Sequence, residues 1–201
     1  MIGANHRTEL GARIAAQFAE SIEVKQRVLD EHIPVLVQIA EILVAALRRG
    51  NRVLLCGNGG SAADSQHIAA ELVGRFRRER AALPAIALTT DTSILTALAN
   101  DYSYEDVFAR QVEALGREGD VVIGISTSGN SPNVLKALRT AKERGMASIG
   151  LAGETGGALQ HVADVCFRAP SRSTSRIQET HITVGHSLCE MIEQELFGND
   201  G

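Results

Sequence analysis

His67 and Glu71 are four residues apart. On a helix that spacing puts an imidazole and a carboxylate on one face, one turn from each other. Such a pair can ligate one divalent cation or form an ordinary surface ion pair. A second group lies in "RIQETHITVGHSLCE" (176–190), which holds Gln178, His181, His186 and Glu190. His67, His181 and His186 sit among apolar or small residues, so an imidazole satisfied by hydrogen bonds at the core edge is the plain alternative to a ligand. Gln178 and His186 are eight residues apart, about 12 Å along a regular helix. One ion could meet both only if the helix start is irregular or His186 comes from a neighbouring subunit.

Two loops add a different chemistry. "CGNGGS" (56–61) follows an apolar run, and "STSGNS" (126–131) follows another. Glycine lets a ligand approach the backbone, while Ser/Thr hydroxyls and the first N–H groups of a helix suit phosphate oxygens. Neither loop has the GK[ST] of a P-loop, and neither meets the GxGxxG pattern with its distant acidic residue. Two such loops at strand ends of one sheet point to a sugar phosphate or similar small anion rather than a nucleotide.

The elements that must carry these residues follow from periodicity. From Thr8 to Arg49 the apolar positions Leu10, Ile14, Phe18, Ile22, Val28 and Leu29 recur near a 3.6 period. Pro34 marks the start of a second helix that ends at Gly50. An appended helical pair of this kind packs against a domain face or another subunit. Short apolar runs then alternate with helical segments: strands at 52–56, 85–88, 120–126, 147–152 and 164–169, and helices near 61–74, 92–115, 131–144, 156–162 and 173–197. Continuous apolar strands separated by amphipathic helices indicate a parallel sheet covered on both faces. The expected organisation is one domain over 1–201, with a helical pair in 1–50 and an α/β core in 51–201.

Composition narrows the function classes. Aromatic residues are 3% of the 201, with no Trp, and the net charge is −4. This speaks against base-stacking platforms and against broad attraction to nucleic acid or anionic membrane. No run nears the roughly 18 apolar residues of a spanning helix, and the first residues lack the apolar core of a signal peptide. Cys56, Cys166 and Cys189 are odd in number and widely spaced, as expected of reduced thiols in a cytoplasmic protein.

In combination, "GNGGSAADSQHIAAEL", "ANDYSYEDVF", "GDVVIGISTSGNSPNVLKA" and "RIQETHITVGH" resemble the phosphoheptose isomerases of the sugar isomerase (SIS) domain family. The resemblance runs over nearly the whole chain. It implies a three-layer αβα sandwich around a five-stranded parallel sheet, flavodoxin-like, with two N-terminal helices. It also implies a homotetramer with active sites at subunit interfaces and one zinc ion per subunit, held by residues matching His67, Glu71, Gln178 and His186. Substrate contacts would fall on Asn58, Gly59, Gly60, Ser61, Arg75, Asn100, Asp101, Ser126, Thr127, Ser128, Ser131 and Gln178. Ser175 departs from the pattern, since many relatives carry an acidic residue there.

The activity implied interconverts D-sedoheptulose 7-phosphate and D-glycero-D-manno-heptose 7-phosphate, the first step towards nucleotide-activated heptose. Moving a proton between C1 and C2 through an enediol needs a base and an acid, for which Glu71 and His186 are the candidates. Zinc would act as a Lewis acid on the carbonyl and hydroxyl oxygens. A carboxylate that ligates zinc is a poor base while bound, so both roles for Glu71 require its coordination to change during turnover. The rival is a non-enzymatic tetrameric adaptor of the same fold that binds the replication initiator protein. In those relatives the position of His186 resembles an asparagine, and the histidine here favours the enzyme.

Overall fold

The computed structural model describes residues 4–198. Two helices come first, α1 (Ala4–Glu31) and α2 (Ile33–Arg48), the second opened by Pro34 in its first turn. Proline fits there because the first N–H groups of a helix have no partner inside it. The chain then alternates: β1 (Val53–Gly57), α3 (Gly60–Val73), β2 (Ala85–Ala87), α4 (Thr92–Asp101), α5 (Ala109–Leu115), β3 (Val121–Ser126), α6 (Pro132–Glu143), β4 (Ala147–Ala152), α7 (Leu159–Val162), β5 (Val165–Arg168) and α8 (Thr174–Phe197). The expected helix at 92–115 is two helices. The cap of α4 is Asp91, whose carboxylate accepts the Ile94 N–H (2.9 Å), and the intervening turn is held by Ser103 and Asp106. The helix expected at 156–162 is shorter, because Gly156 and Gly157 both take positive φ.

All five strands are parallel, in the order β2-β1-β3-β4-β5. Successive strand residues serve opposite faces. Val53 and Leu55 join a core with Ile39, Leu43, Ile68, Leu72, Ile177, Val184 and Leu188 from α2, α3 and α8. Leu54 and Cys56 join the other core, with Val112, Val134 and Leu138 from α5 and α6. Truncating one fully buried residue of either set to alanine costs about 2–5 kcal/mol.

The strand order reverses direction between β1 and β3, which is where open α/β sheets collect ligands beyond their carboxyl ends. The loops after those two strands are "GNGGS" and "STSGNS".

Helix α1 packs only partly. Val24 and Val28 are buried, whereas Ile14, Phe18, Ile22 and Leu29 are each more than half exposed. Its apolar stripe therefore does not fold back on the sheet. Among the described residues no helix is long and apolar enough to cross a membrane.

Candidate active site

The loop after β1 turns into α3 within three residues. Gly59 makes that possible at φ 55°, a left-handed backbone that a side chain would oppose. Asn58 ties this loop to the loop after β3. Its side-chain amide exchanges two hydrogen bonds with that of buried Asn133, 2.9 Å each way, and its Oδ1 also accepts from Tyr104 (3.2 Å). In the second loop the Ser126 hydroxyl lies 2.8 Å from that of Ser131 and 3.5 Å from that of Ser128. The Thr127 carbonyl accepts the Gly153 N–H (3.0 Å). The structure thus brings Asn58, Gly59, Gly60 and Ser61 beside Ser126, Thr127, Ser128 and Ser131, with exposed Gly59, Gly60 and Ser128 forming the open surface.

Behind the first loop, α3 and α8 run side by side in the same direction. Near their starts, the bare backbone of Gly60 meets the amide of Gln178, which a β-carbon there would approach to 2.5 Å. Farther along, Gly185 leaves room for Ile68. At that level the side chains converge: His67 Nε2 lies 2.9 Å from His186 Nε2 and 3.3 Å from Glu71 Oε1. One ligand atom from each of His67, Glu71 and His186 fits within 4.8 Å of the others.

Helix α8 is continuous through Gln178 and His186. Both escapes from the 12 Å problem are therefore unnecessary for His186: the helix start is regular, and His186 joins His67 and Glu71 of its own chain. The amide of Gln178 lies at the glycine loop, beside Gly60.

The donor set fits a metal. Two imidazole nitrogens and one carboxylate oxygen are the three protein ligands of many catalytic zinc sites, which keep a fourth position open. Donors about 2.1 Å from one tetrahedral ion lie about 3.4 Å apart, close to the separations here. A further carboxylate shares this side of α3. One oxygen of Asp64 is buried and has no hydrogen-bond partner. Burial raises its carboxyl above the ordinary value, and the nearby His67 and His186 pull it back down.

The remaining expected residues stand elsewhere. Asn100 donates to Asp101 (2.8 Å) on the exposed end of α4. Arg75, just past α3, is exposed and pairs with Glu79 at 3.7 Å. His181 is fully buried, with Nε2 3.0 Å from the Ala152 carbonyl oxygen, and burial holds it down at about 4. It is a core histidine. The cysteines are unpaired, and burial pushes the Cys56 and Cys189 thiols up to about 12.

Three further residues stand at the site outside the expected set. Asn133 is buried under the second loop, Asp64 lies three residues before His67 on the same face, and Phe76 stacks on His186 with ring centroids 5.6 Å apart. Only the spacing of Asp64 and His67 was readable in advance.

Residues 17–153 match the model of the SIS domain family. The chain is 63% identical over 177 residues to a phosphoheptose isomerase of Roseiflexus sp. (strain RS-1), covering 88% of this chain and 90% of that protein. The chain belongs to the SIS domain family, among its phosphoheptose isomerases. The fold agrees with that placement. A solved phosphoheptose isomerase from Neisseria gonorrhoeae superposes with a TM-score of 0.87 at 48% identity, over 92% of this chain and 99% of that one. One from Francisella tularensis gives 0.88 at 41% identity, over 91% and 97%.

Proposed function

We propose that the protein interconverts D-sedoheptulose 7-phosphate and D-glycero-D-manno-heptose 7-phosphate, with zinc bound by His67, Glu71 and His186. The convergence of those three side chains within 4.8 Å, beside the loops of the sheet's reversal point, carries this reading. The loops at Asn58–Ser61 and Ser126–Ser131 receive the phosphate and hydroxyls, using backbone N–H groups and serine hydroxyls in place of lysine. Gln178, Asn100, Asp101 and Arg75 are further substrate contacts. Gln178 serves from its place beside Gly60, and its amide oxygen is proposed as a further zinc ligand.

The isomerisation moves one proton between neighbouring carbons and one between their oxygens. Glu71 takes it from the carbon next to the carbonyl and returns it to the adjacent carbon, while His186 protonates and deprotonates the neighbouring oxygens of the enediol. Bound zinc would supply Lewis-acid polarisation of those oxygens. His67 and Glu71 share one face of α3, so a shift of the Glu71 carboxylate off its neighbours is enough to free it as base.

The same reading places four copies together with sites at their interfaces and gives residues 1–50 the packing role. The exposed stripe of α1 supports it, as does an apolar groove between α2 and α8 lined by Leu36, Val37, Val44, Leu188 and Met191.

The test measures sugar conversion and metal content on one purified sample. Wild-type protein is expected to carry about one zinc per chain, as a single site requires. His186→Asn is expected to stay folded and lose conversion by roughly a thousandfold or more, combining a lost ligand with a lost acid. Wild-type protein that holds no metal and leaves the sugar unchanged overturns the proposal.

A further inference from the structure

Among the described residues the ring hydrogen bond of His186 is with His67 Nε2, and no carboxylate or carbonyl accepts from its other nitrogen. Among the described residues its ring meets the ring of His67 edge-on, at 5.1 Å between centroids, and the face of Phe76 at 5.6 Å and 27°. Histidine ligands are ordinarily oriented by a hydrogen bond to the second ring nitrogen. Here the orienting surface is a phenyl ring, so whatever holds Phe76 sets the plane of the imidazole.

Phe76 lies in the turn after α3, and that turn is held by one buried ion pair. The carboxylate of Glu193, on α8, accepts the N–H groups of Phe76 (2.7 Å), Arg77 (2.8 Å) and Arg78 (3.1 Å). Three successive N–H groups around one anion form a backbone nest. Arg80 completes the carboxylate's partners, with Nε 3.1 Å from Oε1 and both side chains 2% exposed. Its other nitrogens donate to the carbonyls of Leu72 (2.7 Å), Gly74 (3.1 Å), Ala81 (3.1 Å) and Glu71 (2.8 Å). Burial would raise the Glu193 carboxyl, but these N–H groups and the Arg80 charge hold it below the ordinary carboxylate value.

A buried ion pair with this many directed bonds is a poor source of stability and a good source of geometry. It joins the last turn of α3, which carries Glu71, to the helix that carries His186. We propose that Arg80 and Glu193 are positioning residues for the His67–Glu71–His186 site. They fix the imidazole plane of His186 through Phe76, and the last turn of α3 through the Glu71 carbonyl. The proposal rests on the reading of that triad as a metal site.

The experiment uses the full chain and Co(II) as a spectroscopic probe. Co(II) affinity comes from its visible absorption, beside thermal melting and a kcat-against-KM split with the heptose phosphate. Glu193→Gln is expected to weaken Co(II) binding about 10- to 100-fold, the usual effect of losing an outer-shell support. Its kcat should fall while KM changes little, because the phosphate loops lie away from the clamp. Phe76→Leu should act in the same direction and Phe76→Tyr, which keeps the stacked ring, should restore both readouts.

A folded Glu193→Gln with Co(II) affinity within twofold of wild type and unchanged kcat overturns the proposal. If Glu193→Gln does not fold, Phe76→Leu against Phe76→Tyr decides it by the same two readouts. Wild-type protein that fails to bind Co(II) defeats the metal reading instead, and the kcat difference between the two Phe76 variants then judges the clamp.

Discussion

The two stretches of the α3–α8 pair are built on opposite principles. Where the helices begin, the surface is backbone: Gly59 and Gly60 are bare, and Gln178 lies directly on Gly60. Farther along, the surface is side chain: His67, Glu71 and His186 meet, and Phe76, Arg80 and Glu193 hold them from behind. The first region is defined by volume left out, the second by groups put in. They should therefore fail differently when altered, one by steric intrusion and the other by lost chemistry.

The severest steric break is at Gly129, in the loop after β3. It has φ 68°, and a β-carbon there would come within 2.0 Å of the Gly156 carbonyl oxygen. Backbone meets backbone, so no side chain can swing aside. Gly129→Ala is expected to lower stability by roughly 3 kcal/mol or more, through strain and overpacking together. Denaturant unfolding measures this, and a loss below about 1 kcal/mol would show that the loop after β3 can move away from the Gly156 backbone after β4.

His181 sharpens the contrast, since it shares a helix with His186 but performs no chemistry. Its folded value of about 4 lies below the ordinary 6.5 because burial disfavours the charged ring. The unfolded chain therefore takes up a proton in this window and the folded chain does not. Its contribution to stability is complete above about pH 6.5 and is lost as pH falls towards 4, by on the order of 3 kcal/mol. The difference in unfolding free energy between wild type and His181→Gln should change by roughly 2–3 kcal/mol between pH 7 and pH 4.5. Parallel curves would mean that the folded chain accommodates the charged ring.

The mildest change is Gly60→Ala. The atoms nearest the new methyl are the end of the flexible Gln178 side chain, so the fold should survive. Displacing that amide is expected to raise KM about tenfold with little change in kcat, the scale of one lost hydrogen bond to a charged ligand. A larger fall in kcat than rise in KM would move Gln178 into the chemistry of the other region.

Much of this was legible beforehand for identifiable reasons. The five strands are short apolar runs bounded by polar turns, and each falls within a residue or two of its expected place. The His67–Glu71 pair was visible because helical spacing fixes which residues share a face. What could not be read was contact between distant segments. Nothing near Phe76 in the chain announces that its ring covers His186, and nothing near Asn133 announces its pairing with Asn58. The single helix expected over 92–115 failed because Asp91 and the Ser103–Asp106 turn rearrange the backbone locally, which apolar periodicity does not register. The stripe on α1 was read correctly as apolar, yet Ile14, Phe18, Ile22 and Leu29 lie open, because among the described residues no other element covers them.

The orientation of α3 has an electrostatic consequence. Its peptide dipoles sum to about half a positive charge at the start and half a negative charge at the end. The glycine loop lies at the positive end, and Glu71 lies in the last turn at the negative one. One helix thus favours an anion at its start and a cation near its end. From Gly60 to His67 it rises about 10 Å, and an extended seven-carbon chain with 1.52 Å bonds spans about 8 Å. In the proposed reading the helix acts as a polarised gauge for a ligand whose anionic end and reactive end lie roughly that far apart.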